Sequence, residues 1–141
     1  MTAVSQRVIR VSLPDAGLSV SLNLLDADNP ESCEAVWSAL PLESTLGHVV
    51  VSGGGIWIPT KIVHTGTARS VRRTVGSAYF NGPMQTLSIT YGDVSESAFV
   101  NEFARVREQD LAVLAEIGEV VWDQTVESAR KTLTRVLVER A

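Results

Sequence analysis

Near the start of the chain, apolar residues fall at every second position. Ile9, Val11 and Leu13 alternate with Arg10 and Ser12, and after Pro14-Asp15-Ala16-Gly17 the alternation resumes with Leu18, Val20, Leu22 and Leu24 against Ser19, Ser21 and Asn23. A period of two on both sides of a Pro/Gly turn predicts a β-hairpin. Each strand offers one face to a core and one to water, the pattern of an antiparallel sheet covered on one side. The period then lengthens. Cys33, Val36, Trp37 and Leu40 fall at i, i+3, i+4 and i+7, the stripe of an amphipathic helix. Asp28 or Asn29 can cap it, Pro30 suits its first position, Glu31 faces its positive end and Pro41 stops it. Trp37 reads as a core plug on that stripe.

Farther on, His48 to Val51 and Ile56-Trp57-Ile58 read as strands separated by a tight turn at Gly53-Gly54-Gly55. The glycines do not suit a phosphate loop, because a strand follows them and not a helix N-terminus carrying Lys and Ser or Thr. Residues 60–76 are irregular and rich in Thr, Arg and Gly, the longest expected loop. Ser77 to Phe80 and Met84 to Tyr91 form a second hairpin around Asn81-Gly82, a pair that supplies the positive φ angles of a two-residue turn. Leu87, Ile89 and Tyr91 share a face. Phe103 to Val106 is a short strand, followed by a helix from about Gln109 to Ile117 with Gly118 at the position after its end. The C-terminal segment fits either a helix through Val126, Ala129 and Leu133 or a strand over Thr132 to Glu139. A helical start with a final strand from about Thr132 is expected, because a terminal strand can pair with the first and close the sheet.

Composition narrows the function classes. Among 141 residues, 45% are apolar and 20% charged, as in an ordinary globular domain, and the length suits one domain over 1–141. A net charge of −4 supplies no positive field for a phosphate backbone, so no nucleic-acid partner is expected. Arg69, Arg72 and Arg73 are the local exception and read as a solvated loop. The single cysteine, Cys33, cannot form an internal disulfide and suits a reducing compartment. No apolar run spans a bilayer and the N-terminus carries no signal pattern, so a cytoplasmic protein without a membrane partner is expected.

The residues also carry a resemblance. Asn101 to Glu108, running into Asp110-Leu111 and ending at Ile117-Gly118, resembles the cyclophilin strand that precedes the second helix, and Gln85 to Thr90 is similar to another cyclophilin strand. More of the chain resembles a bacterial family of uncharacterised cyclophilin-like proteins, the DUF3830 type. The residues that carry it are Leu24-Leu25-Asp26, Pro30 to Cys33, Ala35-Val36-Trp37, Leu40 to Glu43, Ile56 to Pro59, Tyr91-Gly92-Asp93, Leu114 to Gly118 and Trp122. The resemblance implies a mainly β fold, a small closed antiparallel barrel of about eight strands capped by two helices.

It does not imply prolyl isomerisation. Gly47-His48-Val49-Val50-Val51-Ser52-Gly53 stands where cyclophilins carry an arginine and a Met-x-Gln motif, and has neither. The family's likeness to cyclophilin-like domains of urea-carboxylase and allophanate-hydrolase systems implies instead a small amide or carboxylate ligand in a metabolic accessory role. Trp57, Tyr79, Tyr91 and Phe103 are candidate apolar walls, and His64, Gln85, Asn101 and Arg105 candidate polar groups. Asp93, Glu96 and His64 are the acid–base candidates. Two histidines without a cysteine pair predict no metal site, no cofactor is expected, and Cys33 is no nucleophile if buried. The apolar run Val136-Leu137-Val138 suggests homo-oligomerisation or a partner protein as the alternative role.

Overall fold

The computed structural model describes residues 6–66, 68–95 and 98–141. The first hairpin forms as the alternation requires: β1 (Val8–Leu13) pairs with β2 (Leu18–Leu24) from Val8↔Asn23 to Leu13↔Leu18. Gly17, at φ 66°, carries the turn, a conformation that costs glycine nothing. Helix α1 (Pro30–Ser38) follows, then β3 (Leu42–His48), β4 (Gly53–Pro59), β5 (Ser70–Arg72), β6 (Ser77–Asn81), β7 (Thr86–Val94) and β8 (Phe99–Val106). Helix α2 (Leu111–Trp122) and β9 (Thr134–Arg140) complete the chain.

The strands run in the order β2-β1-β9-β3-β4-β7-β6-β8, and β8 pairs back onto β2 at Leu22↔Val106 and Leu24↔Ala104. Every neighbour is antiparallel, so eight strands close a barrel without a free edge. β5 hangs outside that ring on the outer end of β8, at Val71↔Val100. Alternate residues point inward: Ile9, Val11, Val20, Leu22, Ile56, Ile58, Leu87 and Ile89 all lie in the core. Cys33 and Val36 of α1 and Leu114, Ile117 and Val121 of α2 add to the same cluster. Burying such side chains contributes about 1.5–3 kcal/mol each before conformational entropy is subtracted. β9 lies between β1 and β3 and turns Val136 and Val138 inward, so that apolar run is used by the barrel's own core.

Several local expectations are corrected. The glycine triplet opens β4 instead of forming the turn, which falls in a short helical turn at Val50–Ser52, while β3 begins earlier, at Leu42. A side chain at Gly54 would lie 2.8 Å from Gly92 Cα, so the glycines serve close strand approach at a bulge in the β4–β7 ladder. In the second hairpin Asn81 is still paired with Thr86, and the positive φ belongs to Gln85. Asn81 Oδ1 accepts the Met84 N–H and closes a longer loop. Gly118 does not end α2: the helix continues to Trp122, and a Cβ at Gly118 would meet the Tyr91 ring at 2.4 Å. Trp37 is only partly buried, with Arg7 and Arg140 over its ring at 5.0 and 4.6 Å. The arginine cluster is engaged, not simply solvated: Arg69 meets Glu102, Arg72 lies over Phe99, and Arg73 reaches Tyr79.

Candidate functional site

The candidate residues separate into several places. The segment after β4 crosses the outer face of β6 and β8 and buries a polar network there. Glu102, 2% exposed, accepts from Ser77 Oγ at 2.6 Å, Arg105 Nη1 at 2.9 Å and Arg69 Nε at 3.3 Å. Arg105 also reaches Thr74 Oγ1 and the Val75 carbonyl. Its donors hold the crossing segment on the barrel. Asn101 lies next to this cluster, accepts from Asn29 Nδ2 at 2.8 Å, and donates to Ser32 Oγ and the Gly66 carbonyl, both at 2.9 Å. Asn29 precedes α1 yet makes no side-chain cap, its amide being turned toward Asn101 and the Glu102 carbonyl.

His64 joins the network through Nε2, 2.8 Å from Ser32 Oγ. Ser32 is completely buried, so this serine–histidine pair has no face on which a substrate could meet the oxygen. Gln85 ties the crossing segment to β7: its Nε2 donates to the Ile62 carbonyl, and its carbonyl accepts from Thr60. Phe103 is a core residue, 1% exposed, and its carbonyl accepts from Cys33 Sγ at 3.2 Å. Burial pushes the Cys33 thiol up to about 12, which removes the thiolate a nucleophile needs. Asp93 is exposed near the end of β7, and Glu96 lies outside the described residues.

Tyr91 belongs to a second cluster with His48 at the end of β3. His48 Nδ1 accepts the Val50 N–H at 2.8 Å, which assigns the proton of the neutral ring to Nε2, and Nε2 is hydrogen-bonded to the Tyr91 hydroxyl. Trp122 packs edge-on against His48, with centroids 4.8 Å apart. Burial lowers the pKa of His48, and burial with the nearby Glu119 charge raises that of Tyr91. Val50 has φ 53°, unusual for a β-branched residue.

Trp57 stands apart from both clusters, on the outer face. Register aligns Trp57 with Ser88 and Ser88 with Tyr79 across β4, β7 and β6. The Trp57 indole leans over Gly47 of β3, where a Cβ would lie 2.4 Å from its ring. That opens a pocket of about 270 Å³ above the row, lined by Trp57, Tyr79, Ser88, Thr86, Asn81 and Met84, with Val49 and Arg73 at its side. Arg73 Nη1 donates to the Tyr79 hydroxyl at 3.3 Å. A larger groove of about 790 Å³ runs between the C-terminal half of α1, the start of β3 and residues 59–63. His64 lies on a shallow continuation of it along α1.

Thus His64, Asn101 and Arg105 meet around buried oxygens and not around a common cavity, and Trp57 alone of the seven ligand candidates lines the outer pocket. Sequence reading misses Ser32 and Glu102 and offers Asn29 only as a helix cap. Each is polar within a patterned element, and its burial depends on partners far away along the chain. Arg73 and Tyr79 flank a turn, a spacing that carries no motif.

Residues 11–72 match the model of a protein family of unknown function, DUF3830. No curated protein matches the chain. Among solved structures, McbB in complex with tryptophan is 25% identical over 94% of this chain, with a TM-score of 0.83; the chain spans 44% of the McbB chain. The hypothetical protein AF2241 from Archaeoglobus fulgidus is 17% identical, with 96% of this chain and 95% of that one covered and a TM-score of 0.62. The Mimivirus cyclophilin is 13% identical, with 99% and 90% covered and a TM-score of 0.55. These last two speak for the fold alone. No helix among the described residues is long and apolar enough to cross a membrane. Over residues 11–72 the chain thus resembles the DUF3830 family, and its closed antiparallel barrel with two helices is cyclophilin-like in fold.

Proposed function

We propose that this domain binds a small planar carboxylate or amide in the outer pocket, in an accessory role to metabolism. The observation that carries the reading is the row Trp57–Ser88–Tyr79 with the Arg73 guanidinium beside it. Strands two apart in a sheet are about 10 Å from one another, room for one flat ring between two aromatic walls. Ser88, Thr86 and Asn81 supply short polar side chains along the floor. A guanidinium is a planar fork with five donors, matched to a carboxylate or amide oxygen while it serves other acceptors. The volume of about 270 Å³ suits a ligand of one or two rings, just below the usual range for drug-sized molecules. McbB, seen in complex with tryptophan, lends support, since tryptophan joins an aromatic ring to a carboxylate.

A thermal-shift and calorimetric series with tryptophan, benzoate, benzamide and allophanate tests this. The expected result is stabilisation by at least one planar acid or amide, with affinity about ten-fold weaker in Trp57→Ala, the loss of roughly 1.4 kcal/mol of stacking and contact. Trp57 is 36% exposed, so its removal leaves the barrel intact. No stabilisation across the series, or a Trp57→Ala protein that binds as well as the parent, would overturn the reading.

A further inference from the structure

The groove of about 790 Å³ between α1 and residues 59–63 lies within the range of small-molecule clefts and does not include the outer pocket's residues. Ala35, Ala39, Pro41, Leu42, Ile62 and Val63 make half of its wall. Its polar groups are few, and their hydrogen bonds can be followed one by one. Ser38 Oγ donates to Glu34 at 2.9 Å, Ser44 Oγ to the Pro59 carbonyl at 2.7 Å, and Thr60 Oγ1 to the Gln85 carbonyl at 2.8 Å. Each hydroxyl has a single proton, so all three offer a ligand only lone pairs, and Thr60 Oγ1 already accepts from the Ile62 N–H. Pro41 and Pro59 have no N–H to offer.

Lys61 is therefore the one side-chain donor of the groove with protons uncommitted. It is exposed, and no ion pair joins it to the described residues. We propose that this groove is a second binding site, for an apolar monocarboxylate whose acid group meets Lys61 and whose hydrocarbon body lies on Ala35, Ala39, Leu42 and Ile62. A cationic headgroup is rejected at that end by the ammonium, and a polyol finds too few donors along the wall. An amino group on the ligand is admitted only by Glu43, which also lines the groove, and by the hydroxyl lone pairs.

Octanoate, leucine and octylamine serve as probes, followed by calorimetry and by amide chemical shifts. Octanoate is expected to bind saturably, shifting the amides of Ala35, Ile62 and Val63, while octylamine does not bind. Leucine binding alongside octanoate would place amino acids within the accepted class; its failure would restrict the class to simple acids. Lys61→Gln should weaken octanoate about ten-fold or more, the value of one charge-assisted hydrogen bond, and Lys61→Arg should restore most of it. Ala35→Leu, a good helix former on the half-buried wall, should block binding while the spectrum stays folded. Trp57→Ala should leave octanoate affinity unchanged, which separates this site from the outer pocket. Equal binding of octylamine, an affinity indifferent to Lys61→Gln, or the absence of shifts at the three wall amides would overturn the proposal.

Discussion

His48 joins three elements through one imidazole: Nδ1 takes the Val50 N–H, Nε2 meets Tyr91 of β7, and the ring edge packs on Trp122 of α2. Only the neutral ring can accept at Nδ1, and burial lowers its pKa from the usual value of about 6.5. The unfolded chain therefore binds a proton at higher pH than the native one does. Linkage then makes stability complete above about 6.5, falling as the pH drops through that value toward the lowered native pKa, and level again below it. Tyr91, hydrogen-bonded to the ring, has its pKa raised further from that window by burial and by the nearby Glu119 charge. Urea midpoints between pH 8 and 5 should decline in the parent and decline less in His48→Gln. Equal slopes for the two proteins would remove His48 as the cause.

At the scale of elements, the clearest lesson is Gly118. Glycine inside a helix costs about 1 kcal/mol relative to alanine, and a periodic reading naturally puts it at the helix end. Here α2 continues because the Tyr91 ring occupies the place of a side chain, 2.4–2.6 Å from where a Cβ would stand. The ring is held by its hydroxyl on His48, so it cannot move away freely. Gly118→Ala should therefore destabilise the protein by about 1 kcal/mol net, the overpacking cost of about 1–3 kcal/mol exceeding the gain in helix propensity. In a Tyr91→Ala background the same change should become neutral or stabilising, and a double-mutant cycle reads that coupling directly. Additive effects would show that the close approach does not govern this position. The same kind of contact explains Gly53 and Gly54 of the triplet, which lie against the backbone of Asp93-Val94 and of Gly92 on the neighbouring strand. A partner so distant in sequence leaves no local pattern to read.

For the whole molecule, what could be read along the chain follows how evenly each strand is covered. β1 and β2 have one face in the core and one more open, so their period of two survives in the sequence and the hairpin, α1 and the final strand are all anticipated. Thr86 to Thr90 of β7 are buried on both faces, with Thr86 and Ser88 on the floor of the outer pocket, so alternation no longer separates inside from outside. The candidate site is less legible still: Trp57, Ser88 and Tyr79 come from three strands that only the sheet register brings into one row, and Glu102 and Ser32 of the neighbouring buried network are polar residues covered by segments that only the closed barrel brings near. Apolar character alone is equally ambiguous at the C-terminus, where Leu133 and Val138 look alike in sequence. Closure separates them. Val138 faces Val11 on one side and Leu42 on the other and is fully buried, whereas Leu133 is 75% exposed just outside β9. Val138→Ala removes methyl groups from the strand that joins β1 to β3 and should cost about 1–3 kcal/mol, transfer and cavity together. Leu133→Ala should stay within about 0.5 kcal/mol of the parent. Denaturant midpoints of the two variants measure the difference, and comparable losses would mean that β9 is not the strand that completes the wall.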